Sequence, residues 1–580
     1  MFSIIALALC AAQQTTAQSG FPGTPIGHVP KVEIAWNRLY ELRELYAHFD
    51  RLAAAYPTFV EASVIGHTTE NRELRVYTLN DPATGVDTEK PAMWIDGNVH
   101  GNEVQAGEAV LYTLWYLLEN RSTNAEIEKL VAGSAFYFCP SQNPDGRAHW
   151  FEKAHDSSSS RTGVQPWDDD GDGRFDEDSA NDLDGNGMIT QMRKFVPGQG
   201  THRQDPDDPR ILTPVPPNEE GRKGDWIMLG EEGFDDDGDG RINEDEVGGY
   251  DMNRAWPSMW QPGHVQFGAG PYPLYWPETR SVASFVLAHP NIAALQSFHN
   301  AGGMILRGPG AESYGEYERE DVRVFDELGK AGEKMLPFYR YMVIWKDLYT
   351  VYGGFATWGY EGLGIISFTN ELWNSEQQWG DGKNKPDPKE RWFFDDKLLS
   401  GAGFVDWHAY DHPFYGKVEI GGFRKDYGRV PPTFMIEEML HRNAMFNISH
   451  AKAMPLVSIT ESTTTDLGDG LLAVDVVFRN MHAIPTRTAH AAKQKIGMPD
   501  TFTISGADVE VLAGGFRTDR WRPERIQLAE REPARLLRDS GIGSREEVRV
   551  RWFVRGKGDR ALVSWQGEKA RDRSLEIKLR

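Results

Sequence analysis

Lys90-Pro-Ala-Met-Trp-Ile-Asp-Gly-Asn-Val-His-Gly-Asn-Glu103 joins a short apolar run to a polar turn that ends in a carboxylate. Ala92–Ile95 reads as a buried strand, and Val104–Leu118 behind it reads as a helix. The same signature recurs three times: Ala135–Cys139 before Pro140-Ser-Gln-Asn-Pro-Asp-Gly146, Ile292–Phe298 before His299, and Gly364–Thr369 before Asn370-Glu371. Helix-like stretches at Glu278–Ala288 and Glu320–Leu336 lie among them. Strands alternating with helices predict an α/β fold, with a mixed, mostly parallel sheet and flanking helices. Ligands in such sheets bind beyond the carboxyl ends of the strands, and three of these ends present His, His and Glu.

His100 and Glu103 stand three residues apart where the first strand turns into its helix, so both can face one ion. A catalytic zinc takes three protein ligands and keeps one position open, and two histidines with a glutamate form one such set. His-x-x-Glu alone is equally well a helix-capping pair. The rest of the chain separates the two readings.

Six motifs in order resemble those of the zinc carboxypeptidases of the funnelin type, the group that contains carboxypeptidase A. Lys90–Glu103 is similar to the family's first zinc motif, and Asn143-Pro-Asp-Gly146 to its Asn-Pro-Asp-Gly turn. Tyr250-Asp-Met-Asn-Arg-Ala-Trp256 matches the Asp-x-Asn-Arg motif, and Ser297-Phe-His299 the strand that ends in the third zinc ligand. Tyr349-Thr-Val-Tyr-Gly-Gly354 and Ser367-Phe-Thr-Asn-Glu-Leu372 match the last two catalytic segments. The resemblance covers residues 35–454. It implies an enzyme that hydrolyses the C-terminal peptide bond of peptides or proteins with zinc-activated water.

Carried over residue by residue, the resemblance implies that His100, Glu103 and His299 hold one catalytic zinc. Glu371 would be the general base and would later return the proton to the leaving amine. Asn253 and Arg254 would grip the terminal carboxylate, to which a guanidinium can make two parallel charge-assisted bonds. Tyr349 would close over it. Arg193, within Gln191-Met-Arg-Lys194, is expected to stabilise the oxyanion, with Arg147 as its competitor. Asn102 stands where digestive members carry an arginine, which makes the zinc motif more similar to the carboxypeptidase N/E-like branch. Ala356 occupies the position that reads the terminal side chain in relatives, and no acid there selects lysine or arginine. Neutral or apolar C-terminal residues are therefore expected, with an acidic preference left open by Arg307. No His-Glu-x-x-His, Gly-x-Ser-x-Gly or Walker A segment competes, and Cys139 is expected to be buried rather than nucleophilic.

Two insertions, at 166–193 and 231–246, are strongly acidic. Residues 166–186 and 231–246 each hold nine acids and one arginine, and so carry most of the chain's net charge of −24. That charge excludes a nucleic-acid partner, which needs a cationic surface. Asp235-x-Asp237-x-Asp239-Gly240 with Glu246 at the twelfth position satisfies a calcium-loop pattern. Asp168, Asp170 and Asp172, and likewise Asp182, Asp184 and Asn186, match its first half and resemble thrombospondin-type or dockerin-like loops. Structural Ca2+ is expected in all three; solvated acidic loops are the alternative.

The chain has 580 residues, 40% hydrophobic and 26% charged, which is too long for one core and too apolar for disorder. No apolar stretch is long enough for a transmembrane anchor. Residues 1–18 look like a signal peptide, so a secreted or periplasmic location is expected, although no positive charge precedes the apolar run. Pro431–Met454 reads as a final amphipathic helix. Beyond it, Leu471–Phe478, Val548–Val554 and Leu575–Leu579 alternate with period two, which predicts an antiparallel β-sandwich over 455–580, of unknown partner. It is longer than the transthyretin-like domain usual in the N/E-like branch. Two other functions share these residues: a murein endopeptidase or amidase, and a catalytically inactive peptide- or glycan-binding protein. An intact set of three ligands with Glu371 argues against the latter.

Overall fold

The computed structural model describes residues 29–154, 161–216, 223–375, 388–519, 521–522 and 524–579. The expected signal peptide lies outside the described residues.

An eight-stranded mixed sheet forms the centre. Its strands are β1 (Val60–His67), β2 (Glu73–Leu79), β3 (Ala92–Gly97), β4 (Ala135–Cys139), β5 (Ile292–Asn300), β6 (Met304–Arg307), β7 (Arg340–Val343) and β8 (Ile366–Leu372), in the order β1-β2-β4-β3-β5-β8-β6-β7. The four apolar runs of the sequence are the four central strands, β4, β3, β5 and β8, and these are mutually parallel. Such strands are covered on both faces, which is why they read as continuous apolar runs. Alternate residues serve the two faces. Met93, Ile95, Phe136 and Phe138 pack with helices α1 (Leu42–Ala55), α2 (Gln105–Asn120), α5 (Arg319–Met335) and α7 (Ile436–Lys452). Trp94, Ala135, Tyr137 and Cys139 face α4 (Pro277–Ala288) and α6 (Phe355–Glu361). Helix α3 (Pro144–Glu152) follows β4. The Cys139 thiol is buried, and burial pushes its pKa well above the ordinary value.

A second, antiparallel sheet was not foreseen. It has six strands, in the order Phe404–His412, Gly416–Phe423, Gln191–Gly200, Gly224–Glu231, His202–Gln204 and Leu212–Pro214. The insertion after the first acidic loops thus pairs with a hairpin from far along the chain. Beyond Met454, a five-stranded and a four-stranded antiparallel sheet enclose a core that includes Phe478, Phe502, Trp552 and Trp565.

This C-terminal unit seats on the start of the central strands. Lys569 Nζ donates to Ile292 O (2.6 Å) and Pro290 O (3.3 Å) at the beginning of β5. Thr488 Oγ1 donates to Gly364 O (3.2 Å), just before β8. The backbone N–H groups of Ala489 and His490 donate to Asp321 on α5 (3.0 and 2.9 Å). The residues expected to do chemistry lie at the opposite ends of β3, β5 and β8.

Candidate active site

β3 ends against α2 at very close range. A Cβ on Gly97 would stand 2.8 Å from the backbone of Ala106, so this position needs glycine. The turn between carries Asn98 at φ +53°, whose amide donates to Glu103 O (2.7 Å). Arg147, fully buried, donates from Nη1 to Asn98 Oδ1 (2.7 Å) and from Nη2 to Glu108 Oε1 (2.7 Å), and it reaches the Val104 and Tyr40 carbonyls. Arg147 therefore fixes the turn from behind. It does not line the cleft.

The turn and the end of β5 bring three donors together. His100 Nδ1 lies 3.0 Å from Glu103 Oε1, His299 Nδ1 lies 3.0 Å from Glu103 Oε2, and the two Nδ1 atoms are 3.2 Å apart. All three side chains are buried. Two imidazole nitrogens turned towards each other and towards one carboxylate set lone pair against lone pair unless a proton or cation sits between them. A divalent metal fits this donor set, two neutral nitrogens and a carboxylate. Burial pushes the Glu103 carboxyl up, but His100 and His299 outweigh it and hold the group well below its ordinary value. On the far side of its ring, His100 Nε2 meets Asp251 Oδ1 at 2.9 Å, the kind of outer carboxylate that fixes a ligand's tautomer and direction. Burial opposes ionisation of Asp251 too, and Arg254, His100 and Arg161 together keep it far below the usual carboxylate range.

A cleft of about 330 Å³ opens over these donors. Glu371, Asn253, Arg254, Tyr349 and Ala356 line it. Glu371 is the register partner of His299 across β8 and β5. Burial lifts its carboxyl to about 7. Asn253 Oδ1 accepts the Phe355 N–H (2.8 Å) at the start of α6, which leaves the NH2 end of that amide for a ligand. Arg254 donates to Asn253 O (3.0 Å) and lies 3.6 Å from Asp251 Oδ2. Tyr349 is 52% exposed, on the segment that leads from β7 to α6. Leu306, Ile344 and Val351, packed as one cluster, line the cleft together with Ala356 and give it apolar surface. Arg307 is not part of it. Its guanidinium donates to Tyr341 Oη and Gly308 O (both 2.7 Å) under the sheet edge.

The expectation for Arg193 is overturned. It stands in the second sheet, where it donates to Glu419 Oε2 and Pro209 O (2.7 and 3.1 Å) and is stacked between Trp226 and Trp407. Arg193 is the register partner of Glu419 and ties the inserted strand Gln191–Gly200 to its neighbour in that sheet. Two arginines that the sequence reading passed over line the cleft instead. Arg161 spans Glu103 Oε1 and Asp251 Oδ2, at 3.2 Å from each. Arg429 lies 3.7 Å from Glu103 Oε1 and donates to Asn300 O (3.3 Å). A cue for Arg161 existed: it is the first arginine between Asn143-Pro-Asp-Gly146 and the acidic loops, apart from Arg147. Arg429 has no local motif.

The acidic loops lie outside the cleft. Asp168, Asp170 and Asp172 converge, and Asp182 and Asp184 converge with Glu232. The Asn186 N–H is turned onto Asp182 and Asp184 (3.0 and 2.9 Å). Asp235 and Asp239 each accept from the backbone N–H groups of their own loop. Glu246 lines a small pocket with His149 and Thr162.

A family profile described as zinc carboxypeptidase matches residues 45–185 and 230–392. The gap between the two segments contains Arg193. A second profile, described as a domain of unknown function, matches residues 456–578. Carboxypeptidase D of Mus musculus is 31% identical over 138 residues, which is 24% of this chain and 10% of that protein. Carboxypeptidase B of Astacus astacus is 31% identical over 116 residues, 20% of this chain and 36% of that protein. The chain thus matches a tenth of the length of the carboxypeptidase D relative and about a third of the other. A crystal structure of thrombin activatable fibrinolysis inhibitor aligns at 17% identity with a TM-score of 0.43, over 72% of this chain and 74% of that one.

Proposed function

Because the chain belongs to the zinc carboxypeptidase family, we propose that it is an exported carboxypeptidase that removes residues one at a time from the free C-terminus of peptides or proteins. The observation that carries this reading is the layout of the cleft. The His100–Glu103–His299 donors and Glu371 line the same cleft as Asn253, Arg254 and Tyr349, whose amide, guanidinium and hydroxyl can receive a terminal carboxylate.

Zinc, held by His100, Glu103 and His299, would supply Lewis acidity that acidifies water and polarises the scissile carbonyl. Glu371 takes a proton from the attacking water on its carboxylate and gives it to the amine nitrogen as the peptide bond breaks. Arg161 presents guanidinium N–H groups where the carbonyl oxygen gains charge, already held in place by Glu103 and Asp251. Arg254 and the Asn253 amide bind the terminal carboxylate, and Tyr349 covers it. The apolar surface that lines the cleft together with Ala356 suits a neutral or apolar terminal side chain. Arg307, spent on Tyr341 and Gly308, gives no support to an acidic preference. The three acidic loops act in this reading as structural calcium sites, and the apolar N-terminus directs export.

Matched peptides with free and amidated C-termini test the proposal. The free peptide should release single residues, and amidation should lower kcat/KM by a factor corresponding to about 2–5 kcal/mol, since it leaves a desolvated guanidinium poorly paired. Equal cleavage of both peptides, or cuts within the chain or in murein fragments, would move the activity to an endopeptidase or amidase.

A further inference from the structure

Asp168-Asp-Asp-Gly-Asp-Gly-Arg-Phe-Asp-Glu-Asp178 and Asp235-Asp-Asp-Gly-Asp-Gly-Arg-Ile-Asn-Glu-Asp245 are one motif used twice, differing at two positions. The two copies fold alike: Gly171 N donates to Asp168 Oδ1 and Gly238 N to Asp235 Oδ1, both at 2.6 Å. They also meet. Asp178 and Asp245 form an antiparallel bridge, with Asp245 N donating to Asp178 O (3.2 Å).

The meeting point is strongly anionic and buried. Asp178 and Asp245 are each 1% exposed. One oxygen of each carboxylate accepts a backbone N–H, Asp178 from Asn243 (3.2 Å) and Asp245 from Asp169 (2.7 Å). The second oxygen of each has no hydrogen-bond partner. Across the pair, Asp178 converges with Asp237 and Glu244 of the other copy, and Asp172 and Glu177 converge with that same Asp237. Both buried oxygens of Glu244 and one of Glu177 likewise have no hydrogen-bond partner. Arg174, 3.7 Å from Asp237, is the cation that reaches this group from the first copy, and its side chain is 58% exposed. Carboxylates stacked in this way need counter-charge from something other than the protein.

We propose that the two copies form one composite site for two calcium ions, in which each ion is completed by carboxylates from the opposite copy. Asp237 of the second copy completes the Asp172–Glu177 group and the buried Asp178 of the first copy completes the Asp237–Glu244 group, while Glu177 and Glu244, at the tenth position of each motif, serve the group of their own copy. The all-oxygen, multi-carboxylate set and the flexible glycine-rich loops suit calcium, whereas magnesium demands a stricter octahedron and dehydrates reluctantly. Asp237 belongs to both groups, so the two ions bind cooperatively. This inference rests on the reading of the acidic loops as calcium sites, and the third loop, at Asp182–Asn186, is separate from it.

Equilibrium dialysis of the full-length protein with CaCl2, after chelator treatment and restoration of zinc, tests it. Wild type should bind two ions with a Hill coefficient above 1, beyond whatever the third loop takes, and melt at a higher temperature with calcium. Glu177→Gln and Glu244→Gln, which keep side-chain size, should each weaken both ions by on the order of ten- to a hundredfold. Absence of calcium binding by wild type would remove the calcium reading of the loops and this site with it. Two ions bound independently and unaffected by either variant, or a loss carried by Glu246→Gln instead, would keep calcium and overturn the cross-loop arrangement.

Discussion

Glu371 sits directly beside His299, as register partners on the parallel strands β8 and β5. A residue shift in that pairing would turn one of them to the opposite face, so the sheet itself sets the relation between the Glu371 carboxylate and the His299 imidazole. Glu371→Gln should leave zinc content unchanged and lower kcat by on the order of 10²–10⁴. Metal analysis and steady-state kinetics on the same preparation check both halves; near-normal turnover would place the base elsewhere.

The metal assignment has its own test. His299→Ala should lose zinc outright, whereas Asp251→Asn, which spares all three donors but weakens the hold on His100 Nε2, should lower zinc affinity by about 10–100-fold. Competition with a zinc-binding dye distinguishes the two. Stoichiometric zinc in the His299→Ala protein would sink the site.

Arg161 and Arg193 make opposite expectations. Arg161→Ala should cost on the order of 10²–10³ in kcat, the usual effect of removing an oxyanion donor. Arg193→Ala should change kcat/KM little while lowering the melting temperature, because its partners are Glu419, Trp226 and Trp407. Kinetics and calorimetry on the pair decide it. The reverse outcome would restore the sequence-based choice.

A carboxylate introduced at Ala356 would add negative charge to a cleft also lined by Leu306, Ile344 and Val351, and would favour a cationic terminal side chain. Ala356→Asp should therefore raise the rate for C-terminal lysine or arginine relative to leucine. A peptide series differing in the last residue reads the ratio, and an unchanged ratio would show that another wall holds the terminal side chain.

Asp500 lies buried in the C-terminal unit, where it accepts from Thr486 Oγ1 (2.6 Å) and Trp565 Nε1 (3.1 Å). Burial raises its pKa to about 6, above an unfolded value of about 3.8. The folded form thus holds its proton more tightly. That contribution is complete below about pH 4 and is lost as pH rises through about 6. Between pH 4.5 and 7.5, wild type should lose about 2 kcal/mol relative to Asp500→Asn. Urea unfolding at both values, followed by tryptophan fluorescence, measures the difference; parallel behaviour of the two proteins would mean that Asp500 stays ionised.

The legible parts of the fold were those with a strong local signature. β3, β4, β5 and β8 are buried on both faces and bounded by turn residues, and His100, Glu103, His299 and Glu371 are readable because they stand where those runs stop. Gln191–Gly200 gave no such signal. Its strand contains Pro197, Gly198 and Gly200 and mixes buried, half-buried and exposed residues without a period, so neither composition nor alternation marks it. That hidden sheet also explains the misplacement of Arg193. Arg161 and Arg429 reach the cleft through loop closures set by tertiary contacts, the one by Gly101 N to Arg161 O (3.1 Å), the other by Asn300 Nδ2 to Arg429 O (2.7 Å). Bonds across 60 and 129 residues leave no trace in a local pattern.

The seat of the C-terminal unit governs how the chain can be divided. Lys569, whose pKa burial lowers to about 8, keeps its ammonium on the Ile292 and Pro290 carbonyls, and the Asp321 carboxylate is covered by the N–H groups of Ala489 and His490. Severing the protein after Met454 would strip these caps from the carbonyls at the root of β5 and from Asp321 on α5, and would remove the Thr488 bond to Gly364 O just before β8; β5 and β8 are the two strands that end in His299 and Glu371. The sandwich is therefore a footing under β5 and β8, and an excised N-terminal part would stand on an open wound.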